Sequence, residues 1–227
     1  MTRVKICGIH READLHLSVA CGADALGFVV EYPMDVPWNL DRAAAETLMY
    51  ATPPFVSRVI VVGDDPALVI ALTKRLRPHA VQLHGNEPIA VTAEMVTAIH
   101  GLGVQVLKPL RFSVETGRCH AESADPFEAA RQIEQAGVDA LILDSVSDTR
   151  PAGTGQSVDW AVARQIRVRV RLPLILAGGL HAGNVGQAVA AVRPYGVDVI
   201  SGVENSVGGK DPAKVKAFIQ AVTQSRC

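Results

Sequence analysis

The sequence contains few aromatic residues, no excess of charge of either sign and no long apolar run. Phe, Trp and Tyr make up 4% of its 227 residues, and 22 Lys and Arg nearly balance 23 Asp and Glu. Because the chain has no basic stripe, a nucleic-acid partner is not expected. No apolar run approaches the roughly 20 residues that span a bilayer, and the N-terminus, MTRVKICGI, lacks a signal-peptide pattern. We therefore predict a cytoplasmic protein with no membrane partner.

Cysteine is also scarce, and its spacing argues against a metal cluster. The cysteines form no CxxC pair and no group of histidines joins them, so we predict no metal site. A chain of this length does not need disulfides for stability, and reduced thiols are the simplest interpretation. The four cysteines are Cys7, Cys21, Cys119 and Cys227.

Short apolar runs rich in Val, Ile, Leu and Ala are what the chain has in abundance. Hydrophobic residues make up 48% of the sequence. Most of the runs hardly alternate between apolar and polar residues, which is typical of strands buried on both faces. The last run, VDVIS, alternates more. The runs lie at 4–7, 25–30, 57–62, 80–84, 104–110, 140–144, 172–179 and 197–202.

Segments with helical spacing separate these runs. Three of them begin with Asp-Pro, at Asp65, Asp125 and Asp211, where Asp can cap a helix and Pro fits its first turn. Gly22 and Gly137 stand where two of the helices should stop. Helices are therefore predicted at 11–21, 65–76, 125–136 and 211–222.

A regular alternation of strand and helix predicts parallel strands joined by right-handed crossovers. Eight such units favour an α/β fold with a single (β/α)8 TIM barrel over 1–227, because an open sheet usually has fewer strands. The stretch 111–124, RFSVETGRCHAESA, looks irregular. We predict that it is an extended loop, and it is a candidate lid.

Chemistry in such a barrel sits at the C-terminal ends of the strands. Cys7 ends the first run, and Lys5, two residues earlier, should point to the same side. Cys7 is either a buried structural thiol or a thiolate base, and a base would need its pKa lowered by nearby positive charge. The residues alone leave both interpretations open.

Asp144 ends the sixth run, where a carboxylate is costly unless it is paired or lies at an open rim. It either caps a helix or fixes a loop, or it serves as a general acid. A general acid here would need its pKa raised by apolar surroundings or by other anions.

Glycine-rich turns follow the last three runs and indicate a phosphate site. Glycine lets the backbone approach an anion closely, and successive N–H groups then cradle it. His84 and Asp198 also lie at or near strand ends, and each has either a structural role or a role in the site. The candidate phosphate-binding residues are Gly155, Ala177, Gly178, Gly179, Ser201 and Gly202.

Taken together, these motifs resemble the phosphoribosylanthranilate isomerase family of tryptophan biosynthesis. The matching stretches follow the family's order and span nearly the whole chain. They are VKICGI (4–9), GADALGFV (22–29), VQLHG (81–85), LILDS (141–145), GTG (153–155), LAGGL (176–180), VDVISGVE (197–204) and GGKD (208–211).

The resemblance implies an Amadori rearrangement, in which an N-(5-phosphoribosyl) arylamine opens its ring and an aminoaldose becomes an aminoketose. Cys7 matches the family's general base and Asp144 its general acid. The turns at 178–179 and 201–202 match its phosphate site, and His84 and Asp198 match frequent family positions. The substrate would be a small phosphorylated sugar-amine. Two proton transfers need neither a metal nor a redox cofactor, and we expect a monomer or a homodimer.

One position departs from the family pattern. Pro37 stands where the family usually has an Arg that meets the anthranilate carboxylate, and Asp35 adds a negative charge nearby. Arg111 or Arg150 would replace that partner, and Trp38 would stack on an aromatic ring. Two alternatives stay open: a divergent paralogue that rearranges a ribosylamine phosphate without that carboxylate, and a non-catalytic barrel that binds a phosphate ligand.

Overall fold

The structure is a computed structural model that describes residues 1–146, 157–205 and 208–225. The strands are β1 (Arg3–Ile6), β2 (Ala25–Val30), β3 (Asn39–Leu40), β4 (Ser57–Val62), β5 (Ala80–Leu83), β6 (Gln105–Ser113), β7 (Cys119–His120), β8 (Ala140–Val146), β9 (Leu174–Leu176) and β10 (Gly196–Val199). The helices are α1 (Glu12–Cys21), α2 (Arg42–Ala51), α3 (Pro66–Leu76), α4 (Ile89–His100), α5 (Pro126–Gln135), α6 (Trp160–Arg169), α7 (Val185–Val192) and α8 (Pro212–Gln224), with a 3-10 turn, η1 (Ser201–Val203).

Eight of these strands close a parallel barrel. They follow the order β1-β10-β9-β8-β6-β5-β4-β2, and a further pairing of β2 with β1 completes the ring. All of these pairings are parallel. The predicted (β/α)8 barrel is therefore confirmed. The two short strands β3 and β7 lie outside the ring, on β2 and β6.

Burial on both faces of the barrel explains why most apolar runs do not alternate. One set of buried side chains packs between strands and helices, and a smaller set fills the barrel interior. Strand β10 is the exception, because Val197 and Val199 pack toward the helices whereas Asp198 faces the functional cavity. The interior set consists of Val59, Ala80, Leu107, Ala140, Ile142 and Ala177.

The predicted helix starts are confirmed. The side chains of Asp65, Asp125 and Asp211 each accept a hydrogen bond from a backbone N–H in the first turn of the helix that follows. Gly22 and Gly137 follow α1 and α5 with φ of 97° and 86°, a backbone conformation that favours glycine. Local chemistry therefore sets these helix ends as the sequence indicates.

The prediction of an irregular stretch at 111–124 is wrong in part. Strand β6 continues through Ser113, and β7 returns antiparallel to it, with Phe112 opposite Cys119. The turn is closed by hydrogen bonds between Ser113 and Arg118 and between Gly117 and Ser113. Phe112 and Cys119 are both buried, so this β6–β7 hairpin has an apolar side of its own.

Candidate active site

A cavity opens at the C-terminal ends of the barrel strands. It brings together most of the predicted site residues, which come from β1, β5, β6, β8, β9 and β10. Its volume is about 1060 Å³, including the open space at its mouth. Gly155 and Arg150 lie outside the described residues. The predicted residues that line the cavity are Cys7, His84, Arg111, Asp144, Ala177, Gly178, Gly179, Asp198, Ser201 and Gly202.

Cys7 follows β1 directly and its side chain is 2% exposed. Its backbone N–H donates to the carbonyl of Val199, which fixes the thiol between β1 and β10. Gly27 in β2 makes room for it, because a Cβ at that position would lie 2.4 Å from Cys7 Sγ. The prediction missed this role of Gly27, although an isolated glycine inside a strand is a signal for a close approach.

Lys5 lies beside Cys7, as predicted, and is the centre of a buried polar chain. Its Nζ donates to Asp198 Oδ2 at 2.6 Å and to Gln82 Oε1 at 3.0 Å. Burial opposes the charge of Lys5, but Asp198 and the Cys7 side chain together outweigh burial and raise the pKa of Lys5. Lys5 is therefore an ammonium that holds a fixed positive charge next to the thiol.

Cys7 does not have the lowered pKa that a thiolate base would need. Burial raises the pKa of the Cys7 thiol, Lys5 opposes that shift, and Asp198 adds to it. The physical reason is that a thiolate loses its hydration deep in the barrel, and one ammonium shared with a carboxylate does not replace it.

Asp144, in contrast, has the pKa that a general acid needs. Burial and the charge of Asp198 raise the pKa of Asp144 from 3.8 to about 6. The backbone N–H of Ser145 and the charges of Arg111 and Lys5 oppose this shift. Its Oδ1 accepts a hydrogen bond of 2.8 Å from the Ser145 N–H.

The turns after β9 and β10 approach each other and the end of β8 very closely. A Cβ on Gly178 would lie 2.3 Å from Ser145 Oγ, and a Cβ on Gly202 would lie 1.9 Å from the carbonyl oxygen of Leu180. Within the described residues, the N–H groups of Gly178, Gly179 and Gly202 donate to no acceptor. Three such donors on neighbouring turns are an arrangement that suits an anion.

Ala177 contributes differently from the glycines around it. Its N–H already donates to the carbonyl of Leu143 at 2.7 Å, and its side chain belongs to the apolar set inside the barrel. Ala177 therefore lines the cavity without offering a backbone donor.

Comparisons with known proteins agree with this geometry. The family model for N-(5'-phosphoribosyl)anthranilate (PRA) isomerase matches residues 4–221. The N-(5'-phosphoribosyl)anthranilate isomerase of Haloferax volcanii is 38% identical over 228 residues, which cover the whole of this chain and 95% of the relative.

The chain belongs to the PRA isomerase family.

Two solved structures of this family share the fold. The phosphoribosyl anthranilate isomerase of Thermus thermophilus has a TM-score of 0.79 and 33% identity, covering 99% of this chain and all of that one. A second PRA isomerase, solved in complex with reduced 1-(o-carboxyphenylamino)-1-deoxyribulose 5-phosphate, has a TM-score of 0.75 and 33% identity, with the same coverage. The predicted class, an isomerase, is confirmed.

His84 is held as a neutral imidazole. Burial lowers the pKa of His84 to about 3, and Arg111, Lys5 and Lys108 add to that shift. Gln82 uses its oxygen as the acceptor for Lys5, so its Nε2 is the donor to His84 Nδ1 at 3.2 Å. The proton of the ring therefore lies on Nε2. Gln82 was not predicted as a site residue, although the VQLHG motif contains it.

Apolar side chains form one wall of the cavity, in the region near Pro37, where this chain differs from the family pattern. Trp38 packs against Gly8, and its indole Nε1 donates to Glu204 Oε1 at 2.7 Å. Lys210, fully buried, donates to the same oxygen at 2.8 Å. Pro37 is exposed. The wall comprises Val29, Tyr32, Val36, Trp38, Val61 and Ile200.

Two features are absent from the described residues. No helix there is both long and apolar enough to cross a membrane. No three His, Cys, Asp or Glu side chains in the same ranges cluster closely enough to hold a metal ion.

Proposed function

We propose that this chain converts N-(5'-phosphoribosyl)anthranilate to 1-(o-carboxyphenylamino)-1-deoxyribulose 5-phosphate, with Cys7 as general base and Asp144 as general acid. The observation that carries the proposal is the meeting in one cavity of a thiol, a carboxyl group and three N–H groups that have no acceptor among the described residues. The relatives that bear the name of this reaction support the choice of substrate.

The reaction conserves all atoms, and the enzyme's side chains carry out two of its proton transfers. Asp144 gives its proton to the ring oxygen of the ribose, the bond from C1 to that oxygen breaks, and a C1=N iminium forms. Cys7 then removes the proton from C2, and the C–H electron pair forms a C1=C2 bond as the iminium electrons return to nitrogen. The resulting enolamine becomes the ketone when C1 takes a proton from solvent and C2–OH releases one to solvent. Exchange with solvent then returns a proton to Asp144 and removes the one on Cys7, so both groups recover their starting states.

The pKa of Asp144 suits the first step. A carboxyl group with a pKa of about 6 is a weaker acid than an ordinary aspartate, but it keeps part of its protonated form closer to neutral pH. A phosphate dianion bound at the nearby glycine turns would raise the pKa of Asp144 further, because a second anion disfavours the carboxylate. Substrate binding therefore favours the protonated acid.

The raised pKa of Cys7 has a different consequence. A thiolate that is hard to form is also a stronger base once it exists, which suits removal of a proton from carbon. Lys5 is the group that opposes the cost of the negative charge, because its ammonium is held beside the sulfur by Asp198 and Gln82. Lys5 thus acts as a positioning residue for the base.

The phosphate end of the substrate would bind at the turns after β9 and β10. The unpaired N–H groups of Gly178, Gly179 and Gly202 supply the donors, and Ser201 lies between the strand and the last of them. Anchoring the phosphate there leaves the ribose over the barrel axis, between Cys7 and Asp144, which lie on opposite sides of these turns in the strand order.

Kinetics of two variants with matched controls tests the proposal. Cys7→Ala and Asp144→Asn should each lower kcat with N-(5'-phosphoribosyl)anthranilate by about 100-fold or more, because each removes one proton-transfer group. Cys21→Ala removes a thiol from the end of α1, and Glu94→Gln neutralises an exposed carboxylate on α4, so both controls should keep wild-type rates. A wild-type rate in Cys7→Ala or in Asp144→Asn would reject the role assigned to that residue.

In a second candidate function, the chain catalyses the same rearrangement on a ribosylamine phosphate that carries a different aryl group. The observation that favours it is Pro37, together with Asp35, at the place where the family usually has an Arg. Assays with N-(5'-phosphoribosyl)anthranilate and with a carboxylate-free phosphoribosyl arylamine separate the two candidates. Efficient turnover of the anthranilate compound would remove the second.

A further inference from the structure

We infer that Arg111 binds the carboxylate of the substrate's aryl group and so sets the preference of this cavity for an anthranilate-like aglycone. The inference rests on the proposed function for the identity of the ligand. It concerns a residue on β6, whereas Pro37 lies in the loop between β2 and β3.

Arg111 lies on β6 directly beside the proposed acid. The register of the parallel pair β6 and β8 places Arg111 next to Asp144, so their side chains point to the same face of the sheet. Among the described residues that line the cavity, Arg111 is the one lysine or arginine. Its guanidinium is therefore the side-chain cation available to bind an anionic group of the ligand other than the phosphate.

The guanidinium is held in place but keeps donors for a ligand. Its Nη2 donates to the carbonyl oxygen of Gly85 at 2.9 Å and to Asn86 Oδ1. Within the part of the chain that the structure describes, Nε and Nη1 have no hydrogen-bond acceptor. A carboxylate would therefore meet a positioned cation and would not have to displace a protein bond.

Arg111 is also not held in an ion pair among the described residues; Asp144, its neighbour in the register, interacts with this charge but forms no salt bridge with it. Lys108, the next cation along β6, is paired with Glu87 at 2.6 Å, whereas no salt bridge in the described ranges includes Arg111. His84, beside it, is neutral. Arg111 thus supplies the positive charge of this side of the cavity.

The position of Arg111 suits the shape of the aryl group. The phosphate turns follow β9 and β10, whereas Arg111 on β6 lies on the far side of β8 from them. Tyr32, from the apolar wall, is close to Arg111: burial raises the pKa of its phenol, and the Arg111 cation opposes that shift. A ring against Tyr32, Val36 and Trp38 would place an ortho carboxylate toward Arg111.

Binding measurements test the inference without requiring turnover. The probes are reduced 1-(o-carboxyphenylamino)-1-deoxyribulose 5-phosphate and the same compound without the carboxylate, each titrated by calorimetry. The wild type should prefer the carboxylated probe, and Arg111→Gln should weaken that probe alone by about 10- to 100-fold, the loss expected for one charge-assisted hydrogen bond. The affinity of Arg111→Lys for the carboxylated probe should lie between those of the wild type and Arg111→Gln, because lysine keeps the charge and loses the planar donors.

Arg118→Gln is the matched control, since Arg118 is an exposed arginine on the same hairpin that does not line the cavity. Equal losses for both probes in Arg111→Gln, or no preference in the wild type, would overturn the inference. An isomerase assay on the same samples distinguishes the two proposals. A wild type that prefers the carboxylated probe through Arg111 but does not turn over the anthranilate substrate would reject the proposed function and leave the role of Arg111 standing.

Discussion

The folded state is more stable when the Asp144 carboxyl group is protonated than when it is ionised. Its pKa is 3.8 in an ordinary environment and about 6 in the folded protein, mainly because burial removes water from the carboxylate. Between these two values the folded state binds more protons than the unfolded state. Stability therefore falls as the pH rises from about 4 to about 6, and the loss persists above that window.

Asp144→Asn should consequently stabilise the protein at neutral pH while it removes activity. The gain at pH 7 is at most about 3 kcal/mol, the free energy equivalent of the shift, and it should vanish below about pH 4. Asn keeps an oxygen that can accept the Ser145 N–H, so the local hydrogen bond is retained. Urea unfolding of both proteins from pH 4 to pH 7 measures the difference, and a gain that does not change with pH would show that the charge is not its cause.

Strands β1 and β10 share a buried ion pair that links stability to the site. Lys5 and Asp198 are in register, and both side chains are nearly inaccessible to solvent, at 5% and 7% exposure. The second oxygen of Asp198, Oδ1, has no hydrogen-bond partner among the described residues. The carboxylate therefore depends on Lys5 for most of its compensation.

Lys5→Met should be strongly destabilising, by about 3 to 5 kcal/mol, because it leaves a buried carboxylate without its cation. Adding Asp198→Asn to Lys5→Met should recover much of that loss, because no uncompensated charge is left. Chemical unfolding of the wild type, the single variant and the double variant measures the coupling. A double variant less stable than Lys5→Met would contradict the ion-pair account.

Elements whose causes are local were predictable from the sequence, and those that depend on distant strands were not. Helix α3 begins at Pro66 because Asp65 caps it, and both residues are adjacent in the sequence. The β6–β7 hairpin was missed because β6 extends to Ser113 alongside β8, which reaches Val146. Alternation over the few residues beyond Leu110 is too short to reveal that pairing.

The candidate site shows the same division. Cys7 and Asp144 could be selected because each ends an apolar run, and parallel strands bring such ends to one face. Gly27 and Gln82 act through contacts with Cys7, Lys5 and His84 across neighbouring strands, so their roles emerge only from the closed barrel. The pKa of Cys7 could not be inferred either, because it depends on how deeply the thiol is buried.

At the scale of the whole molecule, closure of the barrel brings the candidate catalytic residues into one cavity. The first barrel strand pairs with the last, so Cys7, which follows β1, and Gly202, which follows β10, line the same cavity. Strand β8 places Asp144 in the same cavity. The expectation of a monomer or homodimer stays a prediction that light scattering would test.

The most direct test of the account is a crystal structure of the protein with reduced 1-(o-carboxyphenylamino)-1-deoxyribulose 5-phosphate bound. We predict the phosphate on the N–H groups of Gly178, Gly179 and Gly202, and C2 of the sugar within about 4 Å of Cys7 Sγ, the range of a heavy-atom contact. Asp144 should face the ligand from the other side. A ligand whose phosphate occupies these turns while its sugar carbons lie away from both Cys7 and Asp144 would contradict the account.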